Sequence, residues 1–154
     1  MIGTDNLAYI AGLFDGEGSL HIKRKPEKKK KHKGKGYRIT NAMRISMEIA
    51  MTDEYIIRWV HDLLKVGSVM KKNVKGLNKS GKPYKTQWRW RCTFRDTLFV
   101  CKLIWPYVQV KLHKVEQVID HYDANKPDRK NVGDFDTYRR ANARPKRENF
   151  YVYI

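Results

Sequence analysis

The stretch Leu7–Ile22, LAYIAGLFDGEGSLHI, joins an almost unbroken apolar run to two acidic residues that alternate with glycines. The apolar part predicts a short helix that is capped by Thr4, Asp5 or Asn6 and ended by Gly16 in the left-handed conformation. A short helix that is apolar all round has to be buried on more than one side. We therefore expect one side to pack within its own domain and the other side to pack against a second surface.

The charge balance indicates a polyanionic partner. The 154 residues include 33 Lys and Arg against 16 Asp and Glu, which gives a formal net charge of +17. Such a surface repels itself until anions neutralise it, and nucleic acid is the leading candidate. An anionic membrane is less favoured, because the basic residues do not lie on one amphipathic helix. A basic surface kept for solubility stays open as an alternative.

Length and apolar content predict one compact domain over 1–154. The pattern of elements places its core over about 5–124, and it fades into a basic extension over about 125–154. No apolar run approaches the roughly 18 residues that cross a bilayer, and the N-terminus lacks signal-peptide features. We therefore expect an intracellular protein, with neither a membrane nor a small molecule as partner. Cys92 and Cys101 are expected to be reduced thiols without a metal.

After Gly18 the apolar period changes from helical to two, which predicts strands. Leu20 and Ile22 alternate with polar residues, and Tyr37–Met51 repeats this pattern. The intervening lysine-rich run is either a solvated loop or part of a hairpin that reaches along phosphates, and we favour the hairpin. The later predicted elements are a helix over Asp53–Lys65 with Thr52 as its N-cap, strands within GSVMKKNVK and YKTQWRWRCTFR, and helices over Asp96–Trp105 and Lys111–Tyr122.

This order predicts an antiparallel α+β layer pair, because βαβ crossovers would need strands and helices to alternate singly. Helices cover the apolar face of the sheet, and the basic face is left open to the major groove of DNA. Glu48 has two open roles, as an acceptor from a cytosine amino group or as an ion-pair partner of Arg44. The residues expected to contact DNA are Ser19, His21, Lys23, Lys25, Lys28, Lys30, Arg38, Thr40, Arg44, Ser46, Glu48, Lys72, Lys85, Gln87, Arg89, Arg91, Arg139 and Arg140.

The opening stretch resembles the motif that names the LAGLIDADG homing endonucleases. Residues Ile10–Gly18, IAGLFDGEG, match its nine positions with few departures, among them Glu17 in place of the final Asp. The predicted order of elements also resembles the family's αββαββα core over roughly 5–124. The segment Trp105–Lys114, WPYVQVKLHK, resembles the part of the family fold that carries an active-site lysine, here Lys111.

The resemblance implies a site-specific endonuclease that cuts both strands of a long pseudo-palindromic DNA site and leaves staggered 3′ overhangs. It also implies that the protein acts in the compartment that holds its host genome, the prokaryotic cytoplasm or an organelle. It implies Mg²⁺ as the cofactor, with Mn²⁺ or Ca²⁺ able to substitute in binding. Glu17 and Lys111 are the implied catalytic residues, and Glu17 with the Gly16 carbonyl are the implied metal ligands. The family's polar residue near the metal on the second strand has no clear match, and Ile49 and Met51 are the nearest candidates.

Only one copy of the motif is present, so the resemblance implies a homodimer with twofold symmetry that supplies two Glu17 carboxylates. Two motif helices are expected to pack closely at Gly12. Asp15 is expected to cap or brace the helix end rather than bind metal. The expected interface residues are Leu7, Ile10, Ala11, Gly12, Phe14 and Asp15. An RNA-binding intron maturase or a non-cleaving DNA-binding regulator of the same fold remains the alternative function.

Overall fold

The computed structural model describes residues 1–31 and 33–124. Within them, helices and strands follow the α+β order that the sequence predicts, αββαββα followed by the predicted last helix. The elements are α1 Thr4–Glu17, β1 Gly18–Lys30, β2 Tyr37–Met51, α2 Glu54–Leu64, β3 Ser68–Lys72, β4 Gln87–Thr93, α3 Phe94–Ile104 and α4 Leu112–Ala124. The predicted fold class is thereby confirmed.

The strands form one antiparallel sheet in the order β1-β2-β4-β3, so the two hairpins lie side by side with β2 and β4 at the centre. The β1–β2 ladder runs from the pair Gly18↔Ile49 to the pair Lys30↔Tyr37. The lysine-rich run is therefore part of the hairpin as far as Lys30 rather than a loop. At about 3.3 Å per residue, β1 reaches about 43 Å from the end of α1.

The core lies between the helices and one face of the sheet. Alternate residues of each strand point into it, which is the period of two that the sequence shows. From the sheet these buried residues are Leu20, Ile45, Met47, Ile49, Trp90 and Cys92. Trp90 is fully buried, and its indole Nε1 donates to the Val66 carbonyl at 2.9 Å, so its one polar group is satisfied.

Helix α1 ends differently from the prediction. Gly16 lies inside the helix and has no positive φ, and the helix continues to Glu17. Gly18 then starts β1 in an extended conformation, with φ −86°. A Cβ on Gly18 would lie 2.6 Å from the Phe14 carbonyl oxygen and 2.2 Å from the Phe14 ring. The close contact of strand and helix therefore requires glycine at position 18, two residues after the predicted position. Thr4, predicted as a cap, is the first residue of the helix.

Three other local predictions were wrong. The N-cap of α2 is Asp53 rather than Thr52, and its carboxylate accepts from the Ile56 amide at 3.1 Å. The sequence predicts an apolar stripe on this helix that includes Tyr55, but Tyr55 is 74% exposed, and Ile57 is buried instead. The apolar alternation within YKTQWRWRCTFR predicts a strand that includes Phe94, but β4 ends at Thr93 and Phe94 begins α3.

Both cysteines are free and buried, as expected of reduced thiols. Burial raises the pKa of the Cys92 thiol to about 11, although its contact with Thr97 opposes the shift. Burial raises the pKa of Cys101 further still. Both groups are therefore neutral core residues at physiological pH. None of the described helices is long and apolar enough to cross a membrane. The basic extension, with Arg139 and Arg140, lies outside the described residues.

Candidate nucleic-acid interface and catalytic site

Four hydrogen bonds tie the last turn of α1 to the segment that joins α3 to α4. Both carboxylate oxygens of Asp15 accept from backbone amides, from Gln109 at 2.7 Å and from Lys111 at 2.9 Å. The Lys111 ammonium donates to the backbone carbonyls of Phe14 at 3.0 Å and Asp15 at 2.8 Å. Asp15 thus braces the helix end, and Lys111 places a positive charge at the negative end of the helix dipole.

The segment that supplies these donors is itself anchored in the core. Pro106 follows the end of α3, and a proline at this point prevents the helix from continuing. Trp105 and Val108 on either side are buried. The Trp105 indole Nε1 also donates to the Glu116 carboxylate on α4 at 3.1 Å. The position of Lys111 at the end of α1 is therefore fixed by packing on both sides.

Glu17 is the last residue of α1 and its side chain is exposed, as is Gly16. Within residues 1–31 and 33–124, no group of three His, Cys, Asp or Glu residues is placed to hold a metal ion. Mg²⁺ in phosphate-processing sites is commonly held by one or two carboxylates together with substrate phosphates and waters. The exposed Glu17 carboxylate fits a site of this kind, in which DNA phosphates and waters supply the other ligands. Asp15 fits less well, because both of its carboxylate oxygens already accept hydrogen bonds.

The side of the sheet that faces away from the core carries most of the predicted DNA-contacting residues, and we call it the basic face. The register gives two rows close to the end of α1. One row runs Ser19, Glu48, Arg91 and Ser68 across all four strands, and the next runs His21, Ser46 and Thr93. Lys23 pairs with Arg44 further along the hairpin, and both are exposed. Towards the tip of the hairpin, Lys25 pairs with Ala42, Thr40 with Glu27, and Arg38 with Lys29.

Three residues predicted to contact DNA are placed differently from the others. Ser46 points to the basic face but is only 3% exposed, because it lies in the middle of the sheet among larger neighbours. Lys28 and Lys30 alternate onto the opposite face from Lys23, where they pair with Ile39 and Tyr37. These two lysines are exposed, but they do not belong to the basic face.

At the other end of the sheet, Lys72 pairs with Gln87, and Lys85 is exposed just before β4. Glu48 forms an ion pair, but with Arg89 on the neighbouring strand rather than with Arg44. The Arg89 Nη1 and Glu48 Oε2 atoms are 3.6 Å apart. The sequence does not reveal this partner, because it depends on the adjacency of β2 and β4.

The expected dimer interface is partly wrong. Leu7, Ile10, Ala11 and Phe14 form the inward face of α1 and are at most 9% exposed, so they leave almost no surface for a second copy. The opposite side of α1 carries small exposed residues, among them Gly12. A Cβ on Gly12 would meet no heavy atom of the described residues within 4 Å.

An aromatic surface that the sequence analysis missed lies beside the outward side of α1. Tyr9 is 52% exposed, and its ring meets that of Trp59 on α2 edge to face, with centroids 5.4 Å apart. With Tyr55 these rings line a groove of about 330 Å³. The apolar run of α1 gave no signal for this surface, because it does not tell which aromatic side chains point outward.

Comparisons with known proteins agree with this geometry. A model of the LAGLIDADG endonuclease family matches residues 10–85, about half of the chain. With the motif at the end of α1 and the αββαββα sheet, this match identifies the class of protein: the chain belongs to the LAGLIDADG endonuclease family. No curated protein matches the sequence.

Solved structures show the same fold at low sequence identity. The archaeal intron-encoded homing endonuclease I-Vdi141I, complexed with DNA, has a TM-score of 0.54 at 14% identity over 77% of this chain and 67% of its own. The group I intron-encoded homing endonuclease I-CeuI, complexed with DNA, has a TM-score of 0.51 at 15% identity over 80% and 56%. I-CvuI in complex with the I-CreI target has a TM-score of 0.50 at 17% identity over 75% and 64%. The chain thus spans less than two thirds of I-CvuI.

Proposed function

We propose that the chain is a homing endonuclease that cuts both strands of a long pseudo-palindromic DNA site as a homodimer with Mg²⁺, leaving staggered 3′ overhangs. The observation that carries the proposal is the exposed Glu17 carboxylate beside the basic face, at a helix end held by Asp15 and Lys111. A carboxylate repels DNA phosphates unless a cation lies between them. Its fixed position next to a cationic surface therefore favours a metal-dependent reaction on DNA.

The residues of the chain divide into a binding part and a reacting part. Exposed Lys and Arg side chains of the basic face bind phosphates and displace counterions from the DNA, while other side chains reach base edges in the major groove. Glu17 and the Gly16 carbonyl would hold Mg²⁺, which supplies an activated water and stabilises charge at the cut phosphate. Lys111 fixes the helix end through two of its three N–H donors, which leaves one donor for a phosphate oxygen or the attacking water.

The homodimer follows from one Glu17 per chain and two strands to cut. We place the contact between the two copies on the outward side of α1, centred on Gly12, where small exposed side chains let two helices approach closely. Tyr9 and Tyr55 lie beside this surface and supply the apolar area that the small residues lack. A twofold dimer would bring the two Glu17 carboxylates to opposite strands of one DNA site.

The test is cleavage of the uninterrupted host gene in the presence of Mg²⁺. Glu17→Gln removes the charge with little change of volume, so cleavage is expected to be lost while DNA binding is kept. Glu54→Gln, the same chemical change on the exposed surface of α2, is the matched control and is expected to cut normally. Full Mg²⁺-dependent cutting by Glu17→Gln would overturn the role of Glu17. A wild-type chain that binds DNA without cutting would favour the non-cleaving regulator, and a preference for intron RNA would favour the maturase.

A further inference from the structure

An arginine and a glutamate lie side by side near the centre of the basic face. Arg89 Nη1 is 3.6 Å from Glu48 Oε2, and the two side chains are 27% and 20% exposed. This distance is too long for a hydrogen bond, although the opposite charges attract. Each group therefore keeps its hydrogen-bonding capacity at the surface. The pair presents a donor next to an acceptor.

The sheet restricts how Arg89 presents its guanidinium group. Its Nε is buried and has no hydrogen-bond partner among residues 1–31 and 33–124, and the same is true of Arg91 Nε on the same strand. A buried donor without a partner costs stability and calls for an explanation. Burial of Nε holds the stem of the side chain in the sheet, so the terminal Nη atoms are the ones that reach the surface. Glu48 limits their remaining freedom through the ion pair.

We propose that Glu48 and Arg89 together read one G·C base pair in each half-site, a specificity that rests on the proposed function. In the major groove guanine presents the acceptors O6 and N7, and its paired cytosine presents the N4 amino donor. Arg89 donates to guanine while Glu48 accepts from cytosine. In an A·T pair these positions are exchanged. Adenine N6 is a donor where guanine O6 is an acceptor, and thymine O4 is an acceptor where cytosine N4 is a donor. Glu48 would then face an acceptor, which disfavours A·T.

The register predicts where this base pair lies. Glu48 pairs with Ser19, one residue beyond the junction of α1 and β1, and the hairpin continues from there to Lys30. Glu48 and Arg89 are therefore close to Glu17 and far from the tip of the hairpin. The G·C preference is expected at an inner position of each half-site, near the cut, and not at its outer end.

The proposal is tested by selecting binding sites from a duplex DNA library randomised over about 25 base pairs, the length that two copies of a strand of about 43 Å would cover. The wild type is expected to enrich G·C at one inner position of each half-site. In Glu48→Gln the preference for G·C over A·T at this position is expected to fall at least about tenfold, because the amide can also donate to thymine O4. It should also bind all DNA more tightly at low salt, since a negative charge is removed from the interface.

Two further variants separate base reading from charge and folding. Arg89→Lys keeps the charge but lacks the planar fork, so the same position is expected to lose its guanine preference. Lys114→Gln removes a positive charge from the exposed surface of α4 and is expected to keep every base preference. Circular dichroism checks that each variant is folded.

The outcomes distinguish this proposal from the proposed function. Unchanged base preferences in Glu48→Gln, or a loss of affinity in Arg89→Lys that is equal for all sequences, would show that the pair is structural or binds phosphate. Either result overturns the base-reading role and leaves the endonuclease proposal standing. If the wild type enriches no sequence at all, the proposed function fails, and this specificity fails with it.

Discussion

Replacing Gly12 tests the proposed dimer directly, because nothing in the described part of one chain opposes a side chain there. An added Cβ has no heavy atom within 4 Å, and the residue lies in the interior of α1. Glycine in a helix interior costs about 0.5–1 kcal/mol relative to alanine. Gly12→Ala is therefore expected to stabilise the monomer by about that amount, which raises Tm by about 1–4 °C for a chain of this size.

The same change is expected to weaken association between two chains. Each dimer acquires two new methyl groups at the point where the helices approach, and overpacking costs about 1–3 kcal/mol at each site. A total of about 2–6 kcal/mol corresponds to an increase in the dimer Kd of about 30-fold or more. Gly12→Lys adds a charged group that would be desolvated without a partner, so this variant is expected to sediment as a monomer and to lose double-strand cutting.

The assay combines sedimentation with thermal unfolding followed by circular dichroism, the latter at a concentration where all variants are monomeric. Gln117→Lys adds the same charge to an exposed position of α4 and is expected to remain a dimer. Opposite signs for the two effects of Gly12→Ala, a more stable monomer and a weaker dimer, would support the interface. A Gly12→Lys protein that stays dimeric, or a wild type that stays monomeric on its DNA at micromolar concentration, would refute the reasoning.

Three more predictions follow from the site and the core. Lys111→Ala is expected to slow single-turnover cutting of bound DNA at least about tenfold with a much smaller loss of affinity, and normal cutting with weak binding would reduce Lys111 to a phosphate anchor. Gly18→Ala is expected to lower the free energy of unfolding in urea by about 1–3 kcal/mol, whereas Gly16→Ala, with no described atom within 4 Å of its Cβ, should raise it by about 0.5–1 kcal/mol. In the native protein Cys92 and Cys101 are expected to resist thiol reagents at neutral pH. Stability should fall as pH rises from about 9 to about 11, because the unfolded chain releases the Cys92 proton first.

Much of the fold could be predicted because the strands and most helices bury one face. The alternation over Tyr37–Met51 predicted β2 with its observed bounds, and the last two helices begin and end within two residues of their predicted positions. Helix α1 is the exception. When nearly every residue of a helix is apolar, the pattern has no phase, so it does not tell which residues point into the core. The interface prediction therefore included Ile10 and Phe14, which the single chain buries completely or almost so.

The candidate site was only partly predictable, because its contacts join distant parts of the chain. The sequence identifies Glu17 through the motif and Lys111 through the family resemblance. Neither identification requires the three-dimensional contacts of these residues. The hydrogen bonds of Asp15 to Gln109 and Lys111 span 94 and 96 residues. The ion pair of Glu48 depends on strand order in the same way. No local pattern encodes such partners, because they are set by how the hairpins and helices pack.

The bonds that hold the end of α1 also have a consequence for protein synthesis. The ribosome has to add about ninety residues after Glu17 before the groups that fix its helix end, Gln109 and Lys111, are made. A nascent or prematurely terminated chain can contain the whole motif and both hairpins and still lack the brace. In unfinished copies Glu17 is therefore expected to lack the fixed position on which the proposed cleavage depends.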